Sequence, residues 1–503
     1  MRRHLLLPLL AGALLLAGAA SADTIRASKR GGAIAGTPRR DTLVGGKGAD
    51  SIQAAFGGRD AVRCGAGRDV VSADLADRVS ADCEVVGRRL SVDASANPAS
   101  QHETAVEPDD LAWGSTVVAA FQLGRYERGA ASNIGTAVST DAGRTWRRAV
   151  LPGLTVESAP PGSWSAASDP TVAYDAAHGV WLVGALTVAQ GTSAVAVSRS
   201  PDGLHWSAPV VVATGPILDK DWFACYDGAA SPHRGRCYAT YTDDAREQTV
   251  VQSSDDGGLT WSEPVRADAT LVGTQPLLRP DGTLVIVAGD YQGAAGLNGS
   301  IVSLVSTDGG ATFSRSTIAP LHAHPGGPLR AISLPSAAVD AAGTFEAAWH
   351  DCGLRPACTG NDLVLSSSGD GVTWSPPARM ATGPGEAFLP GLGADPARPG
   401  HLGLVYATWL GACPAACRLA VRFVSSDDAG ATWSAPQRLS TQPVEMSWLA
   451  RSEGGRMVGD YFSTAYAGGR WIPVYALATS PLRGRLREAI FAASLPAAPR
   501  PGR

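Results

Sequence analysis

The stretch STDAGRTW at residues 139–146 recurs along the chain in five further copies. They are SPDGLHW (200–206), SDDGGLTW (254–261), STDGGATF (306–313), SSGDGVTW (367–374) and SDDAGATW (426–433). The closing aromatic residues of the six copies are 60, 55, 52, 61 and 59 residues apart. Such spacing is typical of four-stranded sheet units repeated in one large fold. The repeat therefore predicts an all-β array over most of the 503 residues.

Each conserved letter of this pattern, S-x-D-x-G-x-T-W, has a local role. The aspartate can accept hydrogen bonds from backbone N–H groups of a turn, and the glycine can adopt a positive φ. The aromatic residue can pack the turn against its sheet. We therefore expect structural residues here, away from any active site. The copies resemble the Asp-boxes, or BNR repeats, of sialidases and related proteins, over nearly four-fifths of the chain.

A second repeat lies about 30 residues before each box and predicts the number of units. Its copies are ETAVEPD (103–109), DPTVAYD (169–175), DWFACYD (221–227), QPLLRPD (275–281), LPSAAVD (334–340), LPGLGAD (389–395) and DYFSTAY (460–466). The last unit lacks a fourth strand, which residues 88–95 (RRLSVDAS) could supply by closing a ring and covering two sheet edges. We predict a β-propeller of seven four-stranded blades, with the six blades familiar from sialidases as the alternative.

The N-terminal 22 residues have the features of a secretory signal peptide. Arg2 and Arg3 precede the apolar run Leu5–Leu16, and Ala20-Ser21-Ala22 offers a cleavage site. No later stretch is long and apolar enough to span a bilayer. We predict a signal peptide at 1–22, a small module at 23–87, the propeller at 88–492 and a disordered tail at 493–503, and hence a secreted, extracellular protein.

The small module repeats glycine, aspartate and aliphatic residues with a period near nine. GGKGADSIQ (45–53) and CGAGRDVVS (64–72) are the better copies, and FGGRDAV (56–62) is a degenerate one. They resemble the RTX, or haemolysin-type, calcium-binding nonapeptides, and the resemblance implies a small β-roll with Asp50, Asp69 and Asp60 as calcium ligands. The alternative is a small roll, stapled by a disulfide, that binds calcium weakly or not at all.

The cysteines indicate the cellular compartment, and the net charge argues against binding to nucleic acid. The eight cysteines fall into four pairs that are close in sequence. These pairs predict local disulfides in an oxidising compartment: Cys64–Cys83, Cys225–Cys237, Cys352–Cys358 and Cys413–Cys417. A metal site at the last pair is the less favoured alternative. The formal net charge of −4 gives no basic footprint for nucleic acid.

The residues at the starts of the predicted inner strands would line one mouth of the ring, and they are strongly acidic. We select Asp169, Asp221, Lys220, Asp460 and Glu386 as catalytic candidates, and Tyr461, Gln275 and Arg330 as substrate-binding candidates. Two carboxyl groups could divide the roles of acid and of base or nucleophile, as in glycoside hydrolysis. Asp169 and Asp221 are the preferred pair, with Lys220 keeping one of them ionised. The alternative for each aspartate is a structural role in a turn.

The resemblance to sialidases implies three arginines for the substrate carboxylate, a Tyr–Glu pair and an aspartate. The Phe-Arg-Ile-Pro-like motif that usually carries one arginine is absent from this sequence. Two hypotheses follow. The chain is a secreted glycoside hydrolase, sialidase-like in fold, acting on an extracellular glycan or glycoprotein, or it is a non-catalytic propeller that binds a glycan or a surface partner.

Overall fold

The computed structural model describes residues 23–228, 231–293, 296–411, 413 and 417–497. The predicted signal peptide and residues 498–503 of the predicted tail lie outside these ranges. Within them, no helix is long and apolar enough to cross a membrane.

The first strands are the stacked coils of a β-solenoid. They are β1 (Thr24–Arg26), β2 (Gly32–Ala35), β3 (Thr42–Val44), β4 (Asp50–Gln53), β5 (Ala61–Arg63), β6 (Val70–Ala73), β7 (Arg78–Val79) and β8 (Val85–Arg89). The odd-numbered strands form one parallel sheet and the even-numbered strands a second. Thr24 pairs with Thr42, and Thr42 with Ala61, so one coil takes 18 or 19 residues, about two nonapeptides.

Aliphatic side chains fill the inside of the solenoid. Leu43, Ile52 and Val71 point into this narrow core and are fully buried. The disulfide Cys64–Cys83 links the third coil to the last one. The alternation of aspartate, glycine and aliphatic residues thus produces coils too small to bury a core alone but large enough when stacked.

The rest of the described chain is antiparallel. Strands β9 to β20 are β9 (Ala105–Trp113), β10 (Thr116–Arg125), β11 (Ala131–Ser139), β12 (Arg147–Val150), β13 (Ala166–Asp175), β14 (Val180–Ala189), β15 (Thr192–Ser200), β16 (Val210–Gly215), β17 (Leu218–Cys225), β18 (Cys237–Asp243), β19 (Gln248–Ser254) and β20 (Val265–Asp268). β9 to β16 form one eight-stranded sheet and β17 to β20 a four-stranded sheet.

Three further sheets follow along the chain, two of four strands and one of five. They contain β21 (Val272–Leu278), β22 (Leu284–Tyr291), β23 (Asn298–Ser306), β24 (Ser314–His322); β25 (Ser336–Val339), β26 (Phe345–Asp351), β27 (Asp362–Ser368), β28 (Ala378–Arg379); and β29 (Ala387–Ala394), β30 (Leu402–Leu410), β31 (Arg418–Ser426), β32 (Gln437–Arg438), β33 (Val444–Glu445). Short 3₁₀ turns span Pro356–Cys358 and Met446–Trp448.

The last strands join the solenoid. They are β34 (Ala450–Ser452) and β35 (Gly455–Met457), which pair with each other, then β36 (Ser463–Ala467), β37 (Arg470–Ala478), β38 (Glu488–Ala493) and β39 (Leu495–Pro496). Phe491, Ala492 and Ala493 of β38 pair with β8 of the last coil. The result is a single eight-stranded sheet that runs from the coils into the C-terminal strands.

The fold class predicted from the sequence, a β-propeller of seven (or six) four-stranded blades beside a small separate β-roll, is therefore wrong. The protein is all-β, but its chain builds a β-solenoid of stacked coils, and its sheets hold between two and eight strands. The physical reason lies at the edge of the last coil. β8 would leave a row of N–H and C=O groups unpaired, and β38 pairs with that row.

The six box turns have the local structure that the pattern predicts. In the first, Asp141 Oδ1 accepts the Thr145 N–H at 2.8 Å, and Oδ2 accepts the Thr145 hydroxyl at 2.7 Å. Hydrogen bonds from the side chain and backbone of Thr312 hold the pKa of Asp308 at about 2. Since these carboxylates accept hydrogen bonds from their own turns, the structural role of the boxes is confirmed.

All eight cysteines are paired as predicted. The structure contains the disulfides Cys64–Cys83, Cys225–Cys237, Cys352–Cys358 and Cys413–Cys417. Each closes a loop of fewer than twenty residues, so the pairs staple local structure and do not link distant parts of the chain.

Candidate functional site

Strands β9, β13, β17, β21, β29 and β36 come together in the molecule. β9 contacts β13, β13 contacts β17, β17 contacts β21, and β36 contacts both β29 and β9. Charged residues that lie far apart in the sequence are thereby brought together where these strands begin.

Bulges in these strands aim the charged side chains. The pairing register shifts within β9, β13 and β17, next to residues with positive φ: Glu107 (φ 52°), Asp169 (φ 46°) and Lys220 (φ 52°). A left-handed backbone is unfavourable for residues with a Cβ, so the surrounding sheet must enforce it. Bulges of this kind redirect side chains and are frequent beside active sites.

Lys220 is the centre of a buried ionic cluster. Its Nζ lies 2.8 Å from Asp169 Oδ1, 2.7 Å from Asp460 Oδ2 and 3.8 Å from Glu107 Oε1. Lys220 is 6% exposed, Asp169 3%, and Asp460 and Glu107 1% each. A charge that is buried this completely requires oppositely charged partners. Here three carboxylates surround one ammonium group. We call these four residues the Lys220 cluster.

Two arginines border this cluster. Arg330 Nη2 lies 2.7 Å from Asp460 Oδ2, and the Arg330 side chain is 26% exposed, so it connects the cluster to the surface. On the other side, Arg125 Nη1 donates to Gln122 Oε1 at 2.9 Å, and Gln122 Nε2 donates to Glu107 Oε2.

The pKa values of Glu107 and Asp460, two carboxyl groups of the cluster, are shifted in opposite directions. Burial raises the pKa of Glu107 to about 7, although the charge of Lys220 opposes this shift. Burial alone would also raise the pKa of Asp460, but the charges of Lys220 and Arg330 bring it down to about 2. At neutral pH the cluster therefore holds one carboxyl group close to half-protonated and another that is ionised.

Burial and neighbouring charges also set the pKa values of Lys220 and of Asp219 beside the cluster. Burial alone would lower the pKa of the Lys220 ammonium group, but the carboxylates around it raise that pKa well above its usual range. Burial and the charge of Asp169 raise the pKa of Asp219 to about 6.

Aromatic side chains cover one side of the lysine. The Tyr461 ring centre is 5.8 Å from Lys220 Nζ, and its hydroxyl donates to the Pro170 carbonyl at 3.1 Å. The Trp222 ring packs on Tyr461 at 5.3 Å. Tyr461, predicted to bind substrate, thus forms part of the wall around the ammonium group.

The other predicted site residues lie outside the cluster. The Asp221 carboxyl group is buried without a hydrogen-bond partner among the described residues, and Oδ2 is 3.0 Å from where a Gly184 Cβ would stand. Burial raises its pKa well above the usual range. Gln275 Oε1 accepts the Ala337 N–H at 2.7 Å, which ties two sheets together. Glu386 Oε1 lies 2.8 Å from His324 Nδ1 and belongs to a different group.

Sequence reasoning missed Glu107 and its neighbour Gln122. A signal for the first was present: Glu107-Pro108 in one repeat matches Asp169-Pro170 in the next. Gln122 lies in the second strand of the sheet, where the sequence shows an apolar pattern and no motif.

The calcium ligands predicted in the solenoid form hydrogen bonds of another kind. Asp69 Oδ1 accepts the Asp50 N–H at 2.7 Å, and Asp60 Oδ1 accepts the Asp41 N–H at 2.8 Å, so each carboxylate bonds to the neighbouring coil. One further oxygen of each is buried without a partner. Among the described residues, however, no three acidic, histidine or cysteine side chains converge as metal ligands do. Calcium binding by these aspartates stays a prediction of the sequence.

The chain matches one family model and is distantly similar to several solved structures. Residues 114–388 match the model of the BNR repeat-like domain. No curated protein matches the chain. Among solved structures, the Hadza microbial sialidase Hz136 is 16% identical, with 67% of this chain and 66% of that chain covered and a TM-score of 0.43. An alpha-L-arabinofuranosidase from Fusarium graminearum is 15% identical over 64% and 92%, with a TM-score of 0.44.

The NanB sialidase from Streptococcus pneumoniae is 12% identical, with 81% of this chain and 70% of that chain covered and a TM-score of 0.40. At TM-scores below 0.5, these likenesses say nothing about the activity of this chain.

Proposed function

The chain belongs to the BNR repeat-like domain family, and on that premise we propose that it is a secreted glycoside hydrolase acting on extracellular glycans. The observation that carries the proposal is the cluster itself, in which Lys220 lies within ion-pair distance of three buried carboxyl groups, and burial raises the pKa of Glu107 while neighbouring cations lower that of Asp460. Hydrolysis of a glycosidic bond requires one protonated carboxyl group and one carboxylate, and distinct environments for the two are how enzymes obtain them. Four disulfides are consistent with an oxidising, extracellular location.

Roles for the residues follow from their charges. Glu107 is the general acid that protonates the leaving oxygen, because burial keeps its proton near neutral pH. Asp460, whose pKa the charges of Lys220 and Arg330 lower to about 2, is the carboxylate that attacks the sugar or activates water. Arg330 is the partly exposed cation next to Asp460, and it can bind an oxygen-rich substrate. Asp221 has no role in this scheme, since its side chain packs beside Gly184.

A second function is favoured by a specific observation. The ammonium group of Lys220 already lies within ion-pair distance of three carboxylates, so the cluster is charge-compensated without any ligand. Such a cluster can serve to hold the first strands together in a non-catalytic, glycan-binding protein.

The deciding experiment measures hydrolysis of a panel of 4-nitrophenyl glycosides and release of reducing sugar from glycans. A hydrolase should turn over at least one substrate, and Glu107→Gln should lower kcat/KM by about 10²–10⁴-fold. That loss should shrink for the matching 2,4-dinitrophenyl glycoside, whose leaving group needs no proton. Asp221→Asn is the matched control, a buried carboxyl group outside the cluster, and should keep the wild-type rate in its folded fraction.

Two outcomes would contradict the proposal, the first by favouring the non-catalytic function and the second by removing the role of Glu107. One is a failure to hydrolyse any member of the panel by a folded protein that still binds glycans. The other is equal loss of rate in Glu107→Gln for good and poor leaving groups, which would show that the glutamate donates no proton.

A further inference from the structure

A cleft of about 640 Å³ lies between the solenoid and the loop that joins β37 to β38. Phe56 lines it from the solenoid and Leu482 from the loop, together with four arginines, Arg89, Arg483, Arg485 and Arg487, and a single acid, Glu103. Its volume is in the range of ordinary ligand sites, about 300–1,000 Å³. None of these residues belongs to the Lys220 cluster.

The cleft is positively charged in a protein whose net charge is negative. Among the described residues, one of the four guanidinium groups forms an ion pair, that of Arg89, with its Nε 2.7 Å from Asp74 Oδ1, and the charges of Glu103 and Asp74 also act on Arg487. The guanidinium of Arg487 covers the Phe56 ring at 4.2 Å. Among the residues that the structure describes, no carboxylate forms an ion pair with Arg483 or Arg485, and both are exposed. Burial and the nearby charge of Arg89 lower the pKa of Arg487, so the arginines here repel one another.

The loop presents its arginines on a rigid tip. Leu482 and Arg485 exchange two backbone hydrogen bonds of 3.0 Å across a two-residue turn. Arg483 and Gly484 in that turn have φ of 52° and 79°, as in the tight hairpin turns that need two left-handed residues. A residue with a Cβ is unfavourable at such a position, so the two backbone hydrogen bonds must hold this tip in its tight conformation.

We propose that this cleft binds an acidic polysaccharide through its carboxylated or sulfated sugars. Guanidinium groups form paired hydrogen bonds with carboxylate and sulfate oxygens, and two of the four have no competing carboxylate. The apolar side chains of Phe56, Leu482 and Leu486 between the arginines offer contact to the C–H faces of sugar rings. A nucleic acid is less favoured because the net charge of −4 leaves no wider basic surface along which a phosphate backbone could run.

Binding to polygalacturonate and to dextran sulfate, with neutral dextran as reference, tests the proposal by isothermal titration calorimetry. The variant is Arg483→Ala/Arg485→Ala. The matched control is Arg234→Ala/Arg266→Ala, which removes the same charge from two exposed positions outside the cleft. We expect the wild-type chain to bind at least one acidic polymer and not dextran. The loop variant should bind about tenfold more weakly and the control within twofold, and raised salt should weaken binding of the wild type.

Several results would overturn the proposal. They are no binding to either acidic polymer, equal loss in the control, and exclusive binding to duplex DNA or to phosphatidylglycerol vesicles tested in parallel. The vesicle control is needed because an exposed apolar side chain, Leu482, lies beside the arginines at the tip and could contact a lipid surface. Because binding is measured without turnover, a chain that binds polygalacturonate yet hydrolyses no glycoside supports the cleft and contradicts only the hydrolase.

Discussion

Glu107 is the residue whose environment has the most consequence for chemistry. It lies at a bulge with φ of 52°, its Oε2 accepts a hydrogen bond from Gln122, and burial raises its pKa to about 7. Asp460 is just as buried, but its pKa is about 2, because Lys220 and Arg330 both lie 2.7 Å from its Oδ2, whereas Lys220 Nζ is 3.8 Å from Glu107 Oε1. Position relative to Lys220, and not depth of burial, therefore separates the two carboxyl groups.

This difference predicts the pH dependence of a hydrolase. The rate requires a protonated Glu107, so kcat/KM should fall as the pH rises through about 7, while the ionised Asp460 should titrate only near pH 2. Glu107→Gln should remove the fall on the alkaline side. Initial rates between pH 4 and pH 9 check this. An alkaline limb that persists unchanged in Glu107→Gln would assign the proton to another group.

At the scale of elements, the box turns are local units that should contribute stability without touching chemistry. The Trp261 ring meets the Phe223 ring edge-on at 5.5 Å and joins its turn to the packing of the β17–β20 sheet. Trp261→Ala should cost about 3 kcal/mol in free energy of unfolding, at the lower end for a truncated aromatic because the ring is only partly buried.

Urea unfolding measures the effect of Trp261→Ala, with Leu259→Ala as the control from the same turn, since Leu259 is 51% exposed. The control should change stability by less than about 0.5 kcal/mol. Loss of activity or binding at wild-type stability would show that the box turns form a working surface.

The aspartates that join the coils of the solenoid should make its stability depend on pH. Burial raises the pKa of Asp60 to about 6, above that of an aspartate in an unfolded chain. A raised pKa means that the folded coils favour the protonated form, so this contribution is complete below pH 4 and is lost as the pH rises through about 6. Asp60→Asn keeps the oxygen that accepts the Asp41 N–H and removes the charge.

Thermal unfolding of both chains between pH 4 and pH 8 tests this. The melting temperature of Asp60→Asn should gain on that of the wild type as the pH rises. Asp82→Asn is the control, because a hydrogen bond from the Gly65 N–H lowers the pKa of Asp82 and reverses the sign. A constant difference between wild type and Asp60→Asn at all pH values would contradict the assignment.

Calcium binding by the solenoid stays a prediction of the sequence. If the unpartnered oxygens of Asp50, Asp60 and Asp69 do rearrange around the ion, calcium should raise the melting temperature, and Asp50→Ala should abolish the increase. Calorimetry with calcium and with a chelator decides the matter. An equal melting temperature in both would leave hydrogen bonding between coils as the only role of these residues.

Across the whole molecule, local features were predicted more completely than the arrangement of the sheets. The box turns and disulfides were predictable because their partners lie within twenty residues. Lys220, Asp169 and Asp460 were selected together because each lies near the start of a repeat. Glu107 was missed because its bulge shifts it relative to the first letter of its repeat. The pairing of β38 with Arg88 and Arg89 was also predicted, because residues 88–95 were proposed as the missing strand of the last unit, but the continuation of that sheet into the coils was not.

The shared sheet predicts that the solenoid and the C-terminal strands unfold together. The boundary predicted between residues 87 and 88 falls inside β8, and Ser72 Oγ also lies 3.3 Å from Thr441 Oγ1 across the junction. Scanning calorimetry of residues 23–503 should therefore give one transition and not a separate early one for the coils. A chain that lacks residues 23–87 should melt earlier or aggregate, since β38 would then present an uncovered edge and the buried Phe491 would lose its neighbours. Two resolved transitions in the full chain, with the later one unchanged in the shortened chain, would mean that the coils are an independent module after all.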